Sequence, residues 1–390
     1  MNYGGPDRQE NRQKLLDAVD SVRETIITGA EQAEAEMTIP PASINALYDS
    51  GLFSLKLPEV LGGAEADPIT QMEVLEALAL YDSSASWCVM IGATSIGSPG
   101  AFLPDEGIQE VFRDGRIPRA AGVGAPTGQV TPVEGGYRVT GRWPFASGIR
   151  HSEWVGGGIT IPNDDAAPEI RRALFPTSEV KIHDNWDVMG LRGTGSCDFS
   201  VSDVFVPSRR IFRADVAPKR GGALYLMGHP GFVTNEHAGF ALGVGRRALN
   251  AIVDLAETKS RGRGLNQSVI ANRPSFQYKV GECDLRLRAA RSLMIEILEE
   301  SWDTACQGRN PDTRQQTEMR SCATYATEVA LDAVTLAFRH GGGEVLEKSH
   351  DLQQCLRDMN AAAQHFMVSN SSYEAHGKFV LGQSDANAMR

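Results

Sequence analysis

The chain has 390 residues, 42% of them hydrophobic and 22% charged, with a formal net charge of −11. That balance fits a globular protein of two or three structural units, and the acidic excess argues against a nucleic-acid or anionic-membrane partner, since both favour a basic face. No run approaches the roughly 20 apolar residues that span a bilayer. The first residues lack the basic start and apolar stretch of a secretory leader, so a cytoplasmic protein is expected.

In chain order, residues 7–117 read as a helical domain. Residues 14–35 are amphipathic, and Pro40-Pro41-Ala42-Ser43 opens a helix with proline in its first turn. Asp67-Pro68-Ile69 opens another that runs to about Leu80, and Asp82-Ser83-Ser84 caps a helix carrying Trp87, Met90 and Ile91. Residues 118–214 change character. Short β-prone runs at 129–133, 137–141, 154–161, 173–176 and 199–206 alternate with Gly, Pro, Asn and Asp, and Glu134-Gly135-Gly136 makes a hairpin turn.

Residues 215–382 return to helix, with apolar residues at three- and four-residue spacing over 232–260, 275–306, 312–338 and 350–370. Four long helices with short links predict a four-helix bundle, and only residues 383–390 read as disordered. The fold class expected is mostly α with a central β-barrel-like domain. Gly122-Val123-Gly124 lacks both the third glycine and the βαβ setting of a dinucleotide fold, so NAD(P)H is not expected to bind that way. The six cysteines are scattered without a C-x-x-C pair and read as reduced core thiols; the eight histidines show no metal spacing, and no metal is expected.

Residues 140–158 carry the strongest local signal. Trp143, Phe145 and Ser147 alternate on what reads as a strand, where residues two apart share a face. An aromatic surface ending in a hydroxyl, followed by Gly148 for close backbone approach, suits the edge of a flavin ring; an ordinary β-core accounts for the same residues.

Four separated motifs decide between these readings: Asp82-Ser83-Ser84-Ala85-Ser86-Trp87, Gly141-Arg142-Trp143-Pro144-Phe145-Ala146-Ser147-Gly148, Trp186 through Ser196 running on to Val204-Phe205-Val206-Pro207, and Arg357-Asp358 with Gln364-His365. In this order, over roughly residues 10–382, the chain resembles the acyl-CoA dehydrogenase fold. Within that fold it is most similar to the two-component flavin-dependent monooxygenases. The resemblance implies that Trp143 and Phe145 contact the isoalloxazine, with Ser147 near flavin N5 and Gly148 beside it. Thr194 and Ser196 lie where the family approaches flavin or substrate. Cofactor phosphates are held by an arginine, Arg261 or Arg263, and by the turn His340-Gly341-Gly342, partly across a subunit boundary, which implies a homotetramer. Trp87, Met90, Met227 and Phe232 are the implied substrate contacts.

The same resemblance separates two activities. A dehydrogenase needs a carboxylate to take a proton α to a thioester, usually nine residues after the Arg of the Arg-Asp pair, where this chain has Phe366. In Tyr373-Glu374 the glutamate comes eight residues too late, and near Gly239–Gly245 only Glu236 is available, at a distance. His365 stands instead, as in the monooxygenase branch, where a histidine supports the C4a-hydroperoxyflavin; its unperturbed pKa near 6.5 suits proton transfer around neutrality. A second histidine usual in that branch, on the helix after Trp87, is missing, and Thr94 or His229 are the substitutes considered. The expectation is thus an enzyme that takes reduced FMN or FAD (FADH2 or FMNH2) from a separate NAD(P)H:flavin reductase, uses O2 and oxygenates a small aromatic or heteroaromatic compound of phenol, indole or thiophene type. An acyl-CoA dehydrogenase with a displaced base is the alternative, and a non-catalytic flavin-fold subunit the remaining one.

Overall fold

The computed structural model describes residues 6–162, 167–262 and 267–389, and these fall into two compact units. Unit 1 comprises residues 1–67, 87–188 and 192–226; unit 2 comprises 68–86, 189–191 and 227–390.

Unit 1 combines helices with one sheet. Helix α1 spans Pro6–Glu36 and α2 spans Pro41–Asp49, the latter starting on Pro41, whose missing N–H costs a first-turn residue nothing. Helix α4, Ser83–Phe102, is started by Asp82, whose carboxylate accepts from the Ala85 N–H at 2.7 Å. Helix α5 follows at Asp105–Val111.

The sheet holds seven strands: β1 Ala120–Val133, β2 Gly136–Trp143, β3 Trp154–Ile161, β4 Glu169–Pro176, β5 Lys181–Ile182, β6 Phe199–Pro207 and β7 Ile211–Phe212. Their order is β5-β6-β2-β1-β3-β4-β7, antiparallel except for the parallel pair β1–β3. The expected barrel is therefore an open sheet. Its edges, β5 and β7, are two residues long, and among the described residues no ladder joins them.

The core of this sheet is built on Trp143, which is fully buried and stacks on Phe199 at 4.8 Å. Gly128, Gly141 and Gly157 form the slot for its indole, because a Cβ at any of them would press into the ring, and its Nε1–H donates to the Gly158 carbonyl at 2.8 Å. Burying an indole removes some 150–250 Å² from water, a contribution of about 4–6 kcal/mol.

Unit 2 is helical: α3 Pro68–Tyr81, α6 Gly231–Thr258, α7 Pro274–Cys306, α8 Thr313–Gly341, α9 Asp351–Ala362 and α10 Ser371–Val380. Helix α8 starts on a capping box, Asp312 with Gln315. Helices α3 and α6 meet at backbone distance: a Cβ at Gly239 would collide with the Met72 carbonyl, and one at Gly243 with that of Glu76. Asn235 donates to Pro68 O and Gln71 Oε1, and Arg291 of α7 pairs with both Glu73 and Glu76 of α3 at 2.8 Å.

The fourth predicted bundle helix is not continuous. It stops at Ala362, gives way to a short 3-10 turn at Phe366–Val368 and resumes as α10. The tail expected to be disordered is docked through Ala388, which is 6% exposed. Of the cysteines, Cys306 is exposed and the other five are buried. Among the described residues no helix is long and apolar enough to cross a membrane.

Candidate active site

Pro144 ends β2, since it has no N–H for the ladder, and Phe145 takes a left-handed φ of 65°. Trp143, Phe145 and Ser147 consequently do not share a strand face. Trp143 points into the sheet core and is fully buried, Phe145 is 68% exposed, and Ser147 is buried. Trp143 thus packs into the sheet core in this structure. Phe145 keeps its ring available, with Trp186 edge-on at 6.2 Å.

The turn that carries Ser147 is held against residues 194–197. The Ala146 N–H donates to Cys197 O, and the N–H of Gly148, at φ 77°, donates to Thr194 O. This places four polar side chains in one buried chain. The Trp87 indole N–H donates to Ser147 Oγ at 3.1 Å, Ser147 Oγ lies 2.7 Å from Ser196 Oγ, and Ser196 Oγ lies 2.6 Å from Thr194 Oγ1. Three hydroxyls in series polarise one another. With Trp87 supplying a donor to Ser147, the arrangement tunes the serine hydroxyl as a buried hydrogen-bond group. Met90, one turn along α4, is buried as well.

In unit 2, His365 sits where the chain leaves α9. Its Nδ1 accepts the Met367 N–H at 3.3 Å, which puts the proton of the neutral ring on Nε2. Burial holds its pKa down to about 4, below the value near neutrality that the unperturbed residue would have. At pH 7 it is a neutral donor through Nε2. The ring packs on His237 of α6, with centroids 4.4 Å apart and planes at 34°. His237 is buried, and no local signal in Asn235-Glu236-His237-Ala238 marks it, because the pairing joins residues more than a hundred positions apart. Met227 and Glu236 are fully buried and Phe232 is partly buried.

A third cluster lies at the end of α8. Arg261 donates from Nη2 to the carbonyls of Arg339 and His340 at 3.1 and 2.9 Å, a cation at a helix C-terminus. Gly342 follows at φ 75°, and a Cβ there would come within 3.4 Å of both Arg261 Nη2 and Lys259 Nζ. Lys259 pairs with Glu344 at 2.9 Å. Burial and the Arg261 charge both lower the pKa of His340, whose ring lies 5.1 Å from that of Phe276. Arg261, His340, Gly341 and Gly342 are thus together, in a cationic cradle kept open by the missing Cβ, which fits an anionic phosphate group. Arg263 lies outside the described residues.

Two of the motifs also meet within unit 2. Asp358, fully buried, accepts the Leu191 N–H at 2.6 Å, and Arg357 donates to Met189 O at 2.6 Å. Gly190 lies so close to the Arg357 backbone that a Cβ would collide with its carbonyl. The Arg-Asp pair therefore anchors the segment Met189–Leu191. Phe366, in the position of the usual dehydrogenase base, is 57% exposed and carries no acid.

A model of the acyl-CoA dehydrogenase N-terminal domain matches residues 9–102, and one of the acyl-CoA dehydrogenase C-terminal domain matches residues 236–370. The chain is 27% identical to an indole-3-acetate monooxygenase of Pseudomonas putida, over 94% of this chain and 92% of that protein. It is 27% identical to the flavin-dependent monooxygenase, oxygenase subunit HsaA, of Mycobacterium tuberculosis, over 92% of each. Among solved structures, XiaF from Streptomyces in complex with FADH2 and glycerol is 26% identical with a TM-score of 0.85, over 96% of each chain.

Proposed function

The chain belongs to the acyl-CoA dehydrogenase-fold flavin-dependent monooxygenases, and from that premise we propose that it oxygenates a small indole- or phenol-type compound with reduced FAD delivered by a separate reductase. The observation that carries this reading is His365, a neutral Nε2–H donor, beside Phe366 where a dehydrogenase would hold its carboxylate. The relatives named for indole-3-acetate and as an oxygenase subunit support the substrate class and the separate reductase. XiaF with FADH2 supports FAD.

Reduced flavin, when bound, would supply the two electrons that activate O2; one oxygen atom of that O2 goes to the substrate and the other leaves as water. The chain supplies the surroundings. Phe145 and Ser147 face the ring, with the hydroxyl of Ser147 held by Trp87 and Ser196 as a preorganised hydrogen-bond group. Arg261, beside the turn at His340, Gly341 and Gly342, would hold phosphate through its guanidinium. His365 would offer a hydrogen bond from its neutral Nε2–H. Trp87 and Met90 of unit 1 are side chains of a kind suited to a flat apolar substrate, as are Met227 and Phe232 of unit 2.

Stopped-flow mixing of the protein and anaerobically reduced FAD with oxygenated buffer tests the proposal. The expected result is flavin reoxidation slower than that of free reduced FAD, with an indole or phenol oxygenated and little hydrogen peroxide released. Immediate reoxidation to peroxide, together with a tightly held flavin bleached by acyl-CoA thioesters and an inactive Glu236→Gln variant, would establish a dehydrogenase instead.

A further inference from the structure

Arg320 of α8 is a buried cation, 3% exposed, and among the described residues no carboxylate lies within ion-pair distance of it. A guanidinium out of water needs acceptors for its five N–H groups, and here they come from two stretches of chain. From the segment following His365, Nε donates to Met367 O at 3.3 Å, while Nη2 donates to Phe366 O at 2.8 Å, Ser369 Oγ at 3.3 Å and Ser371 Oγ at 3.1 Å. From the C-terminal tail, Ala388 O accepts from Nη1 at 2.6 Å. The next turn of α8 adds to the hold: Ser321 Oγ donates to Ser372 O at 2.9 Å, and Thr324 Oγ1 lies 2.7 Å from Ser372 Oγ. The carbonyls that Arg320 takes belong to the 3-10 turn whose Met367 N–H bonds to His365 Nδ1.

We propose that Arg320 is a positioning residue for His365, and that the tail segment at Ala388 completes its shell, so that this segment is a working part of the active site. Arg320 fixes the peptide planes on both sides of Met367, the Met367 N–H fixes the imidazole tautomer, and the Ala388 carbonyl satisfies the outermost guanidinium nitrogen that would otherwise call in water. This inference rests on the reading of His365 as the proton-handling group.

The test uses the flavin-free full-length chain labelled with 15N-histidine, with the His365 signal assigned by its loss in His365→Gln. In the parent protein, long-range 15N–1H spectra should show a pure Nε2–H tautomer for His365. Ala388→Lys places a cation against Arg320 and expels the tail, leaving α8 untouched; Arg320→Lys keeps the charge but loses the planar fork. Both should mix the two tautomers. In the flavin-loaded enzyme both should lower the fraction of flavin turnovers that yield product several-fold, with the KM for reduced flavin unchanged. A parent-like tautomer spectrum in both folded variants would overturn the proposal, and Ala388→Lys decides it alone if Arg320→Lys does not fold. If His365→Gln leaves product yield intact, the reading of His365 fails separately, because the tautomer measurement does not depend on turnover.

Discussion

Single side chains set the chemistry, and their effects divide cleanly between turnover and stability. Ser147→Ala removes a preorganised hydrogen-bond group, with an expected loss of roughly 100-fold in the rate of product formation. The Trp87 N–H and Ser196 hydroxyl would lose a buried partner, with a stability cost of about 1–3 kcal/mol; steady-state turnover and urea unfolding measure the two effects separately. His365 makes a pH prediction. Its folded pKa is depressed to about 4 while the unfolded ring titrates near 6.5, so the unfolded chain binds more protons between those values. The stability tied to neutral His365 is complete above pH 6.5 and is lost as pH falls towards 4. His365→Gln cannot titrate, so its unfolding free energy should fall less between pH 7 and pH 5, by about 2 kcal/mol. An equal fall in both proteins would contradict the shift. His151 is held down to about 4 by burial and by Arg119 and shapes the same acid limb, so it supplies the background against which the difference is read.

At the scale of elements, close helix packing and helix propensity predict opposite outcomes for one type of substitution. Gly239→Ala drives a methyl into the Met72 carbonyl and should cost about 1–3 kcal/mol. Gly281→Ala on α7 meets nothing within 4 Å and should add about 0.5–1 kcal/mol; thermal melts of the two variants give the signs directly. The element starts were readable from sequence where a single residue dictates them: Pro41 and Pro68 at first turns, Asp82 as a cap, Glu134-Gly135-Gly136 between β1 and β2. Alternation alone misled at Trp143-Pro144-Phe145, because a proline and one left-handed residue end a strand whose hydrophobic pattern continues on paper. The break after Ala362 has no glycine or proline to announce it; the turn that follows gives its Phe366 and Met367 carbonyls to Arg320, over forty residues earlier. His237 was hidden for the same reason, since its neighbour His365 is set by helix packing and not by spacing.

For the whole molecule, the cradle at Arg261 carries the remaining prediction. If this cradle completes the flavin site of a neighbouring subunit, as the family pattern implies, the protein works as an oligomer, and a homotetramer is the expected one. Arg261→Ala should then raise the KM for reduced FAD about tenfold, the loss of roughly one charge-assisted hydrogen bond. Sedimentation velocity should show one species at four times the 42.2 kDa chain mass. A monomer with parent-like KM values would exclude the arrangement. The placement of α3 bears on how this chain is made. Most of its residues are buried, and the surface that buries them is α6, whose backbone it touches at Gly239 and Gly243. Helix α6 begins roughly 150 residues after α3 ends. At typical elongation rates of about 5–20 residues per second, α3 emerges from the ribosome about 8–30 s before its partner exists. Throughout that interval α3 lacks the helix it packs against in the finished fold, so this contact forms only after residue 258 has been added.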